Sequence, residues 1–236
     1  VPVIARDAAA PRALEGETQR PGYRLIAYPR PKTTHGEDRI MPGALAADPR
    51  TGRLYIASMK MGELFALDDP NENGTGARFL DFGGGLFQDA YGMVHDGESL
   101  SLLHRRNLTR IRDLDQDGVA DSFDRIAALE HDATENIDNA YGLVRDRAGS
   151  FVFTYAVNTP QRRPGWGSVL RLSTGKNEVK EELAFGLRRA YGWCLGPGGE
   201  IFFTDNQGEW VATNRLCHVD EGRYFGYPNP GQEHHA

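Results

Sequence analysis

Two groups of residues in this sequence have the types and spacing for chemistry. The first is the acidic run Asp113-Leu-Asp115-Gln-Asp117-Gly118-Val119-Ala-Asp121-Ser-Phe-Asp124. Oxygen-bearing side chains at positions 1, 3, 5, 9 and 12 with Gly at 6 match a twelve-residue calcium loop, where the Gly makes the sharp turn and position 7, here Val119, offers its carbonyl. Asp124 stands where a bidentate Glu is usual, which lowers the expected affinity. The plainer alternative is a solvated acidic hairpin with an Asp-Gly turn. A partial echo, Asp69-Pro-Asn71-Glu-Asn73-Gly74, has Ala77 and Leu80 at positions 9 and 12 and reads as a turn.

The second group is cationic: Arg105, Arg106, Arg162, Arg163, Arg188 and Arg189, in a chain with 27 basic against 33 acidic residues and a net charge of -6. Guanidinium forks gathered in one region suit a carboxylate- or phosphate-bearing ligand, or else pair with acids such as Asp89, Asp138 and Glu209. Trp166 and Trp210 are placed to stack on a planar ring or to pack. His104 is a candidate base, with a surface histidine as the alternative. His218 falls in an apolar run, and His234-His235 belong to the chain end. The acidic balance argues against nucleic acid as a partner. No apolar run has the 18 residues of a spanning helix, and Val1 to Arg6 lack the order of a signal peptide. Cys194 and Cys217 lack zinc or redox spacing and read as small buried hydrophobes or as one bridge.

The elements that must position these groups repeat. Ala90-Tyr91-Gly92, Ala140-Tyr141-Gly142 and Ala190-Tyr191-Gly192 are spaced 50 residues apart, with Met41-Pro42-Gly43 one unit earlier. After each Gly come an apolar stretch, a turn (Asp48 to Gly52, Asp96-Gly97, Asp146 to Gly149, Gly196 to Gly199) and a second apolar stretch. Two further strand-like runs fill most units. Four short strands per unit predict an all-β propeller with blades near 43–91, 92–141, 142–191 and 192–236, behind a flexible segment over 1–21. The 28 Gly and 13 Pro suit its many tight turns. In such a meander the connections entering each inner strand share one face, the upper, with the loops after the second strand. That face collects Asp89, Asp138, Asn139, Arg188, Arg189, His104, Asn158 and the run Asp205 to Trp210. The calcium-like run lies on the lower face.

The run Gly186-Leu-Arg188-Arg189-Ala-Tyr-Gly192, Asp205-Asn-Gln207-Gly208-Glu209, Asn214-Arg-Leu216 and Gly222-Arg-Tyr-Phe-Gly-Tyr-Pro-Asn229 resembles the soluble, pyrroloquinoline-quinone (PQQ)-dependent glucose/sorbosone dehydrogenases, which are six-bladed propellers. It is also similar to dehydrogenase-like propellers of large secreted bacterial proteins, often fused to cytochrome c modules. The resemblance implies a quinone and calcium as cofactors. It implies a sugar or polyol substrate, a cytochrome c-type electron acceptor and a periplasmic or secreted location. Carried over, it puts Arg188 on the quinone, with Arg189, Asn139, Asn158 and Gln207 at cofactor-facing positions. The carbonyls of Gly208 and Glu209 would hold the calcium that polarises the quinone. Arg189 and Glu209 depart from the family's Asn and Pro. At the register of the family's catalytic His stands Asn139, and at that of its supporting Asp stands Asn158. An amide accepts no proton at physiological pH, so the base falls to His104, Asp89 or Asp138. A non-catalytic glycan- or partner-binding propeller and a calcium-dependent lactonase-like hydrolase are the alternatives. Between four and five 50-residue units fit in 236 residues, so the reading is part of a larger, six-bladed ring, truncated at the C-terminus, or an unusually small ring.

Overall fold

The computed structural model describes residues 28, 40–69, 71, 74–105, 107–129, 139–156, 165–174, 179–206 and 213–227. The predicted N-terminal segment over 1–21 lies outside them. All regular structure in the described residues is β. The first sheet contains β1 (Pro42–Ala47), β2 (Leu54–Ser58), β3 (Gly62–Asp68) and β4 (Arg78–Phe87). The second contains β5 (Gly92–His95), β6 (Leu100–His104), β7 (Asn107–Arg112) and β8 (Ser122–Ala128). The third contains β9 (Ala140–Arg145), β10 (Phe151–Tyr155), β11 (Ser168–Ser173) and β12 (Val179–Phe185). The fourth contains β13 (Ala190–Leu195), β14 (Ile201–Asp205) and β15 (Arg215–His218). Each is an antiparallel meander in sequence order, and successive inner strands touch: β1 with β5, β5 with β9, β9 with β13. These are propeller blades on the predicted period.

The core lies between blades rather than inside any one of them. Leu64, Phe82, Met93, Leu100 and Leu102 fill the layer between the first two blades. Leu103, Leu108, Leu143, Phe151 and Phe153 fill the next, and Val144, Val152, Leu183, Leu187 and Phe203 the third. A middle strand is therefore covered on both faces, and β6 and β10 are buried at every position, which explains their continuous apolar runs where a half-exposed strand would alternate. Cys194 is exposed on β13, Cys217 is half-buried on β15, and both thiols are free. The bridge does not form and β13 turns Cys194 to solvent, while Cys217 packs against the third core layer.

Glycine sets how closely the blades approach. Gly142 N–H donates to the Tyr91 carbonyl at 3.1 Å, a backbone bond between blades. A Cβ on Gly92 would meet the Gly142 carbonyl at 2.8 Å, and one on Gly142 would fall inside the Trp193 indole. Gly142 also has φ +65°, which an L side chain adopts only under strain. Gly142→Ala should therefore cost about 2–5 kcal/mol through backbone strain and overpacking together. Gly52→Ala, at φ +74° with nothing within 4 Å of the added carbon, should cost about 1–2 kcal/mol. Thermal melting of the two variants checks the ranking.

Candidate functional site

The upper rim is built by one position repeated on three blades. Asp89, Asn139 and Arg189 each stand immediately before an Ala-Tyr-Gly. Backbone bonds tie this rim to the loops after the second strands: Arg105 N–H to the Gln88 carbonyl at 3.0 Å, Ala156 N–H to Asn139 at 3.1 Å and Asn206 N–H to Arg189 at 3.1 Å. The face predicted from strand order is therefore formed.

Beside these positions lies an arc of tyrosines. Tyr91 and Tyr141 have ring centroids 4.5 Å apart, and Tyr141 and Tyr191 4.7 Å apart. The arc follows from the fold: the Gly after each Tyr brings neighbouring strands close, so side chains one residue earlier must stack. Burial, with the Asp89 charge adding to it, pushes the Tyr91 hydroxyl up to about 12. Burial also pushes the Tyr141 hydroxyl up, followed by its neighbour Tyr191. Both are neutral donors in use. Sequence reasoning took these tyrosines only as markers of the repeat; their shared register with Asp89, Asn139 and Arg189 was the signal that they line the same mouth.

The rim groups differ in how they are held. Asp89 is 3% exposed at φ +55°. Its carboxylate meets Lys60 Nζ at 2.5 Å and Arg105 Nε at 3.4 Å, so cations from two loops fix it in place. Asn139 is 2% exposed and its Oδ1 has no hydrogen-bond partner among the described residues. Arg189 lies over the rings of Tyr141 and Tyr191, 5.9 Å from each centroid, and its Nη1 donates to the Tyr191 hydroxyl at 3.2 Å. Asp205, 1% exposed at the end of β14, organises that corner. It accepts the Arg188 N–H at 3.4 Å, the Arg189 N–H at 2.9 Å and Arg215 Nη2 at 2.9 Å. Arg215 also donates to the Phe225 carbonyl, which ties the returning segment to β15. Sequence reasoning missed Asp205 as a hub, since nothing local marks its partners.

His104 is not the exposed loop residue expected from its position. It ends β6, is 6% exposed, and its Nε2 lies 2.9 Å from Thr109 Oγ1 on the adjacent strand. Trp166 packs in the core at 6% exposed. Asp138, Asn158, Arg106, Arg162, Arg163, Gln207, Gly208, Glu209 and Trp210 lie outside the described residues.

On the lower face, one oxygen each of Asp113, Asp115 and Asp117 come within 4.8 Å of one another. The loop is pre-shaped by its own backbone: Gly118 N–H donates to Asp113 at 2.9 Å, Asp117 N–H to Asp115 at 3.2 Å and Val119 N–H to Asp117 at 2.8 Å. Asp121 accepts the Leu114 N–H at 2.7 Å. Asp124 lies on β8 and is engaged by Arg112 at 2.5 Å and Ser122 at 3.0 Å, so the twelfth position is occupied by a salt bridge. The Asp69 turn repeats the first bond, with Gly74 N–H donating to its carboxylate at 3.0 Å.

No family model matches this chain, and no curated protein does. Solved structures do match. A PQQ-bound aldose sugar dehydrogenase from Streptomyces coelicolor aligns with TM-score 0.60 at 14% identity, over 80% of this chain and 63% of that one. The soluble aldose sugar dehydrogenase of Escherichia coli aligns with TM-score 0.58 at 16% identity, over 79% and 62%. The PQQ domain of pyranose dehydrogenase from Coprinopsis cinerea aligns with TM-score 0.57 at 13% identity, over 76% and 48%. The likeness is one of fold, and this chain spans less than two thirds of each of the three. No helix among the described residues is long and apolar enough to cross a membrane.

Burial pushes the His104 imidazole down to about 4. The unfolded chain, with an ordinary value near 6.5, takes the proton first, so stability is full above about pH 6.5 and falls as the pH drops toward 4, by about 3 kcal/mol from this residue. Denaturant unfolding at pH 7 and pH 4.5 should show a smaller acid loss in His104→Gln than in the parent.

Proposed function

We propose that the upper mouth binds a sugar or polyol and oxidises one of its hydroxyls in the manner of a quinoprotein dehydrogenase. The observation that supports this most is the rim itself: a carboxylate, an amide and a guanidinium at one repeated position beside a tyrosine arc, on a fold shared with sugar dehydrogenases. The corner at Arg188 and Arg189, its backbone pinned by buried Asp205, fits a polycarboxylate quinone through Arg188. Bound there, the quinone supplies the hydride acceptor. The chain's part is to orient the substrate and hold its proton. Asp89 is the described rim carboxylate able to accept a substrate hydroxyl proton, and Lys60 and Arg105 keep it from swinging away. His104, closed into the sheet on Thr109, has no such role. A periplasmic or secreted setting goes with this reading.

Reconstitution with PQQ and calcium, followed by cofactor absorbance and dye reduction with aldoses, tests it. The expected result is retained quinone and sugar-dependent reduction, with Asp89→Asn slowing turnover about 10²–10⁴-fold at unchanged quinone absorbance. No quinone retained at micromolar concentration would contradict it. The second reading, a non-catalytic sugar- or partner-binding propeller, is favoured by the amide of Asn139 at the position where the resembling family has its base. Gain of turnover in Asn139→His would argue for a decayed enzyme site.

We also propose that the Asp113–Asp117 loop binds calcium as a structural clip on the lower face, with Val119 contributing its carbonyl and Asp121 closing the loop. Calcium should raise the melting temperature of the parent, and Asp117→Ala, which removes the ligand oxygen, should abolish the shift. An equal shift in the variant would refute the site.

A further inference from the structure

The charge and hydrogen-bonding state of the rim narrows the substrate class within the reading above. The cations at the other rim positions are engaged: Lys60 and Arg105 face Asp89, and Arg215 faces Asp205. Arg189 is different. Its guanidinium has no carboxylate partner among the described residues and rests instead on the faces of Tyr141 and Tyr191, with one N–H on the Tyr191 hydroxyl. Its backbone is fixed by Asp205. Aromatic faces hold a guanidinium in orientation without neutralising it, so the fork is preorganised for an anion that the protein does not provide.

One blade earlier, at the equivalent position, the Oδ1 of Asn139 is an acceptor with no partner among the described residues, in a residue 2% exposed. Leaving such an oxygen unmet costs about 1–3 kcal/mol. The oxygen is buried, so a ligand hydroxyl that recovers this cost must first displace what covers it. Asn139 precedes Tyr141 by two residues on the chain that forms β9, and the Tyr141 ring is the one beneath Arg189. Beside Tyr141, Tyr191, 46% exposed, presents an aromatic ring and a hydroxyl.

We infer that the upper mouth selects a polyhydroxylated carboxylate, a sugar acid, with its carboxylate on Arg189 and a ring hydroxyl donating to Asn139 Oδ1. A fork with no carboxylate partner among the described residues matches one planar carboxylate, and the orphaned acceptor calls for a donor, which a simple carboxylate anion lacks. This inference rests on the upper mouth being the sugar site.

Calorimetric titration of the whole chain at low salt with glucuronate, glucose and acetate tests it. Glucuronate should bind at least about 10-fold more tightly than glucose or acetate, because charge-assisted bonds contribute on that scale, and added salt should erode the difference. Arg189→Gln should bring glucuronate down to the affinity of glucose. Asn139→Leu should weaken both sugars while the melting temperature holds or rises, since the replacement removes an unmet polar group; a structural amide would instead lower it. Equal binding of glucuronate and glucose, or an unchanged preference in Arg189→Gln, would overturn the sugar-acid assignment and leave the mouth standing as a sugar site. Binding of neither sugar would overturn both.

Discussion

The structure depends on the backbone contact between neighbouring inner strands. Gly142 donates to the carbonyl of Tyr91, and the missing side chains at Gly92 and Gly142 leave room for it. Once two inner strands stand that close, the blades they carry are committed to face-to-face stacking, and the leucine, valine and phenylalanine layers form between sheets. The same closeness brings the residue before each Gly against its counterpart, giving the tyrosine arc, and places the residue two before that Tyr on a common rim. A single steric allowance, repeated every 50 residues, thus fixes both the core and the mouth.

The lower end repeats a second device. At the ends of β5 and β9 a cationic or imidazole side chain reaches the Asp that closes the preceding blade's first turn: His95 to Asp48 at 3.6 Å, Arg145 to Asp96 at 2.7 Å. At the same position of β13 the residue is Leu195, and Asp146 is met instead by Arg171 from its own blade at 3.0 Å. The upper and lower ends of the first two interfaces are therefore held by different chemistry. Neutral tyrosines and glycine backbone define the upper end; charged turns define the lower. That division leaves the rim free to vary its polar residues, as Asp89, Asn139 and Arg189 do, without loosening the stack.

Much of this was legible in the sequence. The Ala-Tyr-Gly period gave the blades, and the meander rule assigned loops to faces, because both are local patterns read along one strand at a time. What escaped depends on contacts between distant segments. His104 sits in a loop by sequence, yet its side chain closes onto Thr109 across a hairpin. Lys60, from a turn of the first blade, holds Asp89 of the next; neither has a motif naming the other. Asp205 was visible as part of an acidic-amide loop, but its hold on Arg188, Arg189 and Arg215 arises only once β13, β14 and β15 are paired. The calcium-like spacing was readable to its fifth position, while its twelfth was taken by Arg112, a partner set by strand pairing between β7 and β8.

The central claim is that the repeated rim position, and no other face, receives the ligand. Hydrogen–deuterium exchange of the whole chain, with and without PQQ, calcium and glucuronate, tests it most directly. The account predicts added protection in peptides covering Gln88 to Gly92, Asn139 to Gly142 and Arg188 to Gly192, with calcium alone protecting only Asp113 to Asp124. Protection confined to the lower turns at Asp48, Asp96 and Asp146, or none at the rim, would contradict it.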